Sequence, residues 1–184
     1  MTIYEALSHD HRHFEKILDR LHRSCKQGGE GWKDQLDQLR AGLIPHAHAE
    51  EAVFYNALRE ADESKGVIAH SYAEHLMAET ELRGLEALKV FDQTSLTLVE
   101  KLRSDLHHHI EEEEGRVFKA ARRVFSDEEA AQIGAAFLRL KDEMAGTAES
   151  VTASNIALIA NLLPPRLKKG FEAVMAKLPG RKAA

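Results

Sequence analysis

The apolar positions of this chain recur at steps of three and four, without sustained alternation, and glycine and proline cut the pattern into helix-sized pieces. In the first piece Leu7, His11, Phe14, Leu18 and Leu21 make one stripe, so a histidine stands inside an apolar face. After the turn Gly28-Gly29-Glu30-Gly31 a longer piece carries Trp32, Leu36, Leu39, Leu43, His46, Glu50, Val53 and Ala57 on the same stepping. Pro45 removes a backbone donor within that stretch, which predicts a kink or a fresh helix start immediately before His46. Asp62 to Gly66 make the next break, and a third stripe runs Ile68, Tyr72, His75, Ala78, Leu82 and Leu85 before a loop at Asp92-Gln93-Thr94-Ser95. The fourth stripe is Val99, Leu102, Leu106, His109, Glu113, Val117 and Ala120.

A fifth helix is predicted at about 126–145, where Ser126 and Glu129 form a capping box ahead of the stripe Ala130, Ile133, Phe137, Leu140, Met144. Beyond Gly146 two short amphipathic stretches flank Pro164-Pro165. The prediction is an all-α, up-down four-helix bundle with an additional C-terminal helix and a helical tail. Residues 1–146 form the bundle, and 147–184 an amphipathic, basic appendage.

The segment from His46 to Tyr55 aligns with that from His109 to Phe118: a histidine, a glutamate pair, an apolar residue and an aromatic recur in register. Asp10-His11 and Glu74-His75 recur likewise, so a helical hairpin has been duplicated and two hairpins face each other about a pseudo-two-fold axis. A histidine and a glutamate four apart project from neighbouring turns of one helix face and can grip one cation while the backbone stays regular. Two such pairs, His46/Glu50 and His109/Glu113, with the lone His11 and His75, make six ligands. Imidazole with carboxylate suits iron, manganese or zinc, and one glutamate from each hairpin is placed to bridge two ions, leaving open positions for a bridging oxygen or for dioxygen.

Composition narrows the alternatives. A single cysteine, Cys25, excludes a disulfide framework and multi-cysteine metal sites, leaving histidine and carboxylate as ligands. Residues 151–184 carry Arg166, Lys168, Lys169, Lys177, Arg181 and Lys182 against one acid, Glu172; this net +5 within an overall −5 leaves −10 for the rest, which argues against nucleic acid as a partner. No apolar run is long enough to cross a bilayer and no signal-peptide pattern opens the chain, so the expected setting is cytoplasmic and away from membranes. The tail reads as a docked terminus, or as a surface for self-association or a protein partner.

A lone inward histidine is usually a hydrogen-bonded core residue, and Glu-rich helices are usually solvated faces. Four helices each burying a histidine, two of them with a glutamate, are another matter: without a cation, each unpaired ionised group costs several kcal/mol in a bundle only about 5–15 kcal/mol stable. The other histidines, His9, His13, His22, His48, His70, His107 and His108, have no repeat partner and read as outer or solvated groups. Glu15 and Glu79 lie four residues after His11 and His75 but read as surface acids; Tyr55 and Phe118 read as core, with the Tyr55 hydroxyl a candidate donor to a metal-bound oxygen.

The paired segments Pro45-His46-Ala47-His48-Ala49-Glu50-Glu51-Ala52-Val53-Phe54-Tyr55 and His109-Ile110-Glu111-Glu112-Glu113-Glu114, with Asp10-His11 and Glu74-His75, resemble the hemerythrin-like proteins, the HHE cation-binding domain family. The resemblance spans about residues 3–145. It implies a bundle around a non-haem di-iron centre with a bridging oxo, hydroxo or water, ligated by His11, His46 and Glu50 from one hairpin and His75, His109 and Glu113 from the other, the glutamates bridging. Manganese or zinc are substitutes for the two iron ions. Oxygen-carrying hemerythrins have a second ligand histidine one turn from the first on the third helix, where this chain has Ser71 or Glu79; their five-histidine arrangement is absent. The family's usual proline after the aromatic is replaced by Asn56 and Lys119. The leading expectation is a protein that binds or senses oxygen species or iron, with dioxygen or a related small oxidant as partner. The alternatives are an oxidase or peroxide-consuming enzyme, and a passive metal-storage or interaction module. A ferritin-type carboxylate site ranks below these, because it uses E-x-x-H spacing.

Overall fold

Apolar residues that step by three and four are buried by laying one helix face on another. The computed structural model describes residues 1–59, 65–146 and 152–177, and it buries them this way with no strand among the described residues. Helix α1 (Ile3–Lys26) is followed by α2 (Trp32–Glu50), a π-helical turn (Glu51–Tyr55) and the short α3 (Asn56–Arg59). Then come α4 (Lys65–Ala87), α5 (Gln93–Glu112), a second π-helical turn (Glu113–Val117), α6 (Phe118–Val124), α7 (Asp127–Ala145), α8 (Ala153–Leu162) and α9 (Lys168–Met175). Helices α1, α2, α4 and α5 form the bundle, α1 and α4 each lying against both α2 and α5, and α7 lies across α1 and α2.

Local chemistry fixes the helix ends. Thr2 with Glu5, Asp92 with Ser95, and Ser126 with Glu129 close reciprocal capping boxes at the starts of α1, α5 and α7. Between α1 and α2, Gly29 takes φ +82°, and a Cβ there would also collide with the Phe91 ring.

Three local expectations change. Helix α2 runs unbroken through Pro45, so no fresh start precedes His46; burial of Leu39, Leu43 and Ala49 on either side outweighs one lost backbone bond. A departure from α geometry comes at the π-turn, which opens six residues after Pro45. The loop expected at Asp92-Gln93-Thr94-Ser95 shifts back to residues 88–92, because Asp92 caps α5 and the helix starts at Gln93. Gly66 lies in the first turn of α4; Asp62, and the rest of that break over 60–64, lie outside the described residues.

The core divides into two apolar clusters. Phe14, Leu21, Leu36, Leu82 and Leu102 belong to the one at the α1–α2 and α4–α5 turns, while Leu7, Phe54, Phe118 and Phe137 belong to the other. Helices α8 and α9 add Ile159, Phe171 and Met175 to that second cluster, and Arg166 pairs with Glu129 at 2.6 Å. Arg181 and Lys182 lie outside the described residues. On each bundle helix a polar group falls between the clusters: His11 between Leu7 and Phe14, His46 between Leu43 and Ala49, His75 between Ile68 and Ala78, His109 between Leu106 and Val117. The bundle therefore carries a polar layer sealed above and below by hydrocarbon.

Candidate metal centre

That layer brings together His11, His46, Glu50, His75, His109 and Glu113, none more than 8% exposed. The histidines form two pairs: the His11 and His46 rings are 5.3 Å apart, and those of His75 and His109 4.7 Å apart with their Nε2 atoms at 3.1 Å. Glu50 Oε2 lies 3.6 Å from Nε2 of both His46 and His75. Glu113 Oε2 lies 3.1 Å from His11 Nε2 and 3.9 Å from His109 Nε2. Each carboxylate thus touches one imidazole from each pair, and all four rings turn Nε2 inward.

Every outward ring nitrogen meets its own carboxylate. His46 Nδ1 is 3.0 Å from Asp10, His109 Nδ1 3.0 Å from Glu74, His75 Nδ1 2.9 Å from Glu51 and His11 Nδ1 3.0 Å from Glu114. An Nδ1–H donating to a carboxylate leaves the Nε2 lone pair free to ligate and fixes the ring, the usual support of a metal-binding histidine. The four acids obey the pseudo-two-fold: Asp10 and Glu74 each hold the histidine of the next bundle helix, and Glu51 and Glu114 each hold one across the hairpins. Sequence reasoning took these acids as part of the repeat but gave them no task; their recurrence in register with the ligands was the available signal.

Two more supports were not anticipated. Lys141 on α7 donates to Asp10 at 2.7 and 2.9 Å, tying the fifth helix to His46 through one carboxylate. The π-turns, with Asn56 N–H on Glu51 O and Phe118 N–H on Glu113 O, insert one residue each, and the adjacent glutamates there reach opposite nitrogens of one ring, Glu50 and Glu51 at His75, Glu113 and Glu114 at His11. Tyr55 is buried, stacks on His75 and donates to Glu113 Oε1 at 3.1 Å.

Burial sets the charge state. It pushes His46 down to about 4 and His75 to about 3, so both are neutral imidazoles at neutral pH. Burial also opposes the charged form of His11, but Glu113 and Glu114 outweigh it and raise this group to about 9. Glu50 is driven well above the carboxylate range by burial and by the facing Glu113. Burial pushes Glu113 up as well, but pairing with Glu50 and His11 leaves it well below. Both Glu50 oxygens are buried without a hydrogen-bond partner, while Glu113 Oε2 and His11 Nε2 face each other at 3.1 Å as an ion pair without a well-aligned hydrogen bond. Unpartnered buried carboxylate oxygens are costly, and a cation among them would satisfy all of these atoms at once. Of these six residues, Glu50, His75 and His109 present ligand atoms that all lie within 4.8 Å of one another. The donor set fits a cation of the imidazole-and-carboxylate class.

The remaining candidates stand apart. Glu15 faces His107 at 3.4 Å, His22 faces Glu100 at 3.4 Å, and Glu79 pairs with Arg83. His70 is exposed, and Phe118 is core. A cavity of about 190 Å³ reaches His11, His46, His75 and His109; Phe14, Leu43 and Ala78 wall it, and the exposed Leu76 and His48 stand at its rim.

A family model, the hemerythrin HHE cation binding domain, matches residues 2–121. No curated protein and no solved structure matches the chain.

Proposed function

The chain belongs to the hemerythrin HHE cation-binding family, and from that premise we propose that it is a non-haem di-iron protein that binds or senses oxygen species or iron. The observation that carries this reading is the sharing of carboxylates: Glu50 and Glu113 each reach one imidazole of the His11/His46 pair and one of the His75/His109 pair. On this reading the histidine pairs would hold the iron, with Glu50 and Glu113 as the carboxylates shared between them. Iron so bound supplies a redox centre with coordination positions left for a small oxidant. The chain's own part is to hold the rings by Asp10, Glu51, Glu74 and Glu114, to exclude bulk water with two apolar clusters, and to fix Glu113 by the Tyr55 hydroxyl.

The cavity favours a small-molecule partner, dioxygen or a related oxidant, over passive storage, because it runs from the rim at Leu76 and His48 to all four inward histidines. A cytoplasmic setting accords with the one free, buried cysteine, Cys25.

Metal analysis of protein from iron-replete cells tests the assignment. His46→Ala or Glu113→Ala should lose most of the bound iron while His22→Ala keeps it; equal iron in all three would refute the ligand set. Anaerobic reduction followed by air or peroxide, watched by visible absorbance, then separates the modes of action. A lasting spectral change indicates binding or sensing, and repeated consumption of oxidant the oxidase alternative.

A further inference from the structure

Helices α4 and α5 carry the ligand spacing a second time, on their outer face. His70 and Glu74 stand four apart on α4, as do His108 and Glu112 on α5. His108 and Glu112 each precede an inner ligand by one residue, a rotation of about 100° that carries them out of the core. The four residues offer ligand atoms that all lie within 4.8 Å of one another. His70 Nε2 is 3.3 Å from Glu74 Oε1 and 3.5 Å from Glu112 Oε2, and His108 Nε2 is 4.0 Å from Glu74 Oε1. Around a tetrahedral ion with bonds of about 2.0–2.1 Å, ligand atoms stand roughly 3.3–3.4 Å apart. Two of the six edges among four such atoms are therefore already near that length, and a third, at 4.0 Å, is within reach of a small rotamer adjustment of an exposed histidine.

Each carboxylate is anchored by one oxygen and turns the other to the cluster. Glu74 Oε2 accepts from His109 Nδ1 at 3.0 Å, and Glu112 Oε1 accepts from Arg116 at 2.7 Å. The pseudo-symmetry supplies an independent argument. Asp10 and Glu74 are equivalents, each holding the histidine of the next bundle helix, and Asp10 is neutralised by the Lys141 ammonium at 2.7 Å. At Glu74 the place of that ammonium is taken by His70 and His108.

We propose that His70, Glu74, His108 and Glu112 form a second, surface site for a divalent transition-metal ion, standing where Lys141 stands in the other half of the molecule. Two imidazoles and two carboxylates are a donor set for zinc and its neighbours in the series. Through Glu74 the outer ion lies one carboxylate away from His109. The proposal does not rest on the identity or presence of iron in the inner centre.

Equilibrium dialysis of the full chain against zinc alone tests it. The double variant His70→Ala/His108→Ala should bind one equivalent fewer than the wild type with unchanged helical circular dichroism, since both side chains are more than half exposed. His107→Ala, which removes an exposed histidine paired with Glu15 and Glu111, should bind as the wild type does. Equal zinc in the double variant and the wild type, or an equal loss in His107→Ala, would overturn the proposal. All three proteins share the inner ligands, so a failure of the di-iron reading would change the totals and leave the difference between them intact.

Discussion

His109 with Glu113 and His108 with Glu112 are the same motif on the same stretch of chain, offset by one residue. The inner pair is buried between two apolar clusters; the outer pair lies at the surface, where His108 is 62% exposed. Spacing alone thus fixes what two side chains can reach together, and surroundings decide what happens there. Inside, Glu50 and Glu113 leave oxygens without a hydrogen-bond partner in a medium of low dielectric, so a cation is the cheapest way to satisfy them. Outside, water already satisfies the same groups, and an ion must displace it. The inner site should accordingly grip its metals as part of the fold, and the outer site should exchange freely.

Single substitutions at adjacent positions give the sharpest test of that contrast. His109→Ala should abolish most iron binding, because it deletes one nitrogen of the His75/His109 pair and frees Glu74. His108→Ala should leave iron content unchanged, as read by metal analysis of the two proteins side by side. Comparable iron loss in both would mean that burial does not separate the sites. Next in size is Glu74→Gln, which keeps an acceptor for His109 but removes the charge serving both clusters. Loss of such an outer carboxylate typically weakens metal affinity by about 10–100-fold. Competition with a chelator of known affinity should find that fall in iron binding together with loss of the outer zinc equivalent.

The contrast also marks what the sequence could tell. Four rods, the fifth helix and the inward turn of His11, His46, His75 and His109 were readable, because each depends only on periodicity within one helix. Which acid holds which ring was not. Asp10 supports His46 and not its neighbour His11, and Glu51 supports His75 across the hairpins, a matter of relative rotation between helices. Lys141 reaches Asp10 from 131 residues away and leaves no periodic trace. At Pro45 the helix continues where a fresh start is one of the two expectations, and the π-turns have no signature in apolar stepping. The outer cluster was hidden for a different reason: His70 and His108 lack partners in the repeat, so reading by repeat set them aside.

A protonation experiment sharpens the inner half of the comparison. In the metal-free protein His11 keeps its proton up to about pH 9, and Glu50 keeps its own well above the carboxylate range. Ligation needs both groups deprotonated, so metal entry at neutral pH displaces these protons and apparent affinity rises with pH until His11 titrates. Titration of ferrous iron into unbuffered protein at neutral pH under argon should release at least the His11 proton, about one per chain, and Glu50 adds to it as far as it is protonated there. Release near zero would mean that His11 is not a ligand.

The smallest expected effect concerns Asp10 against Glu74, the two equivalents that differ in their cation. Lys141→Met keeps the aliphatic packing of the side chain and removes the ammonium that sits 2.7 Å from Asp10. Hydrogen bonds to charged groups contribute about 1.5–3 kcal/mol, and Lys141 is 21% exposed, so a loss near the lower end, about 1 to 2 kcal/mol, is expected in urea unfolding of the metal-free protein at pH 7. Burial opposes ionisation of Asp10, but His46 and Lys141 outweigh it and hold the carboxyl well below its ordinary range. A group depressed in the folded state stabilises above its unfolded pKa, about 3.9 for aspartate, and loses that contribution as pH falls further. The difference between variant and wild type should therefore persist down to about pH 4 and shrink below it. A difference that stays constant into acid would assign the effect to packing against Phe137, whose ring lies 5.5 Å from the ammonium, and would leave Asp10 and Glu74 electrostatically alike.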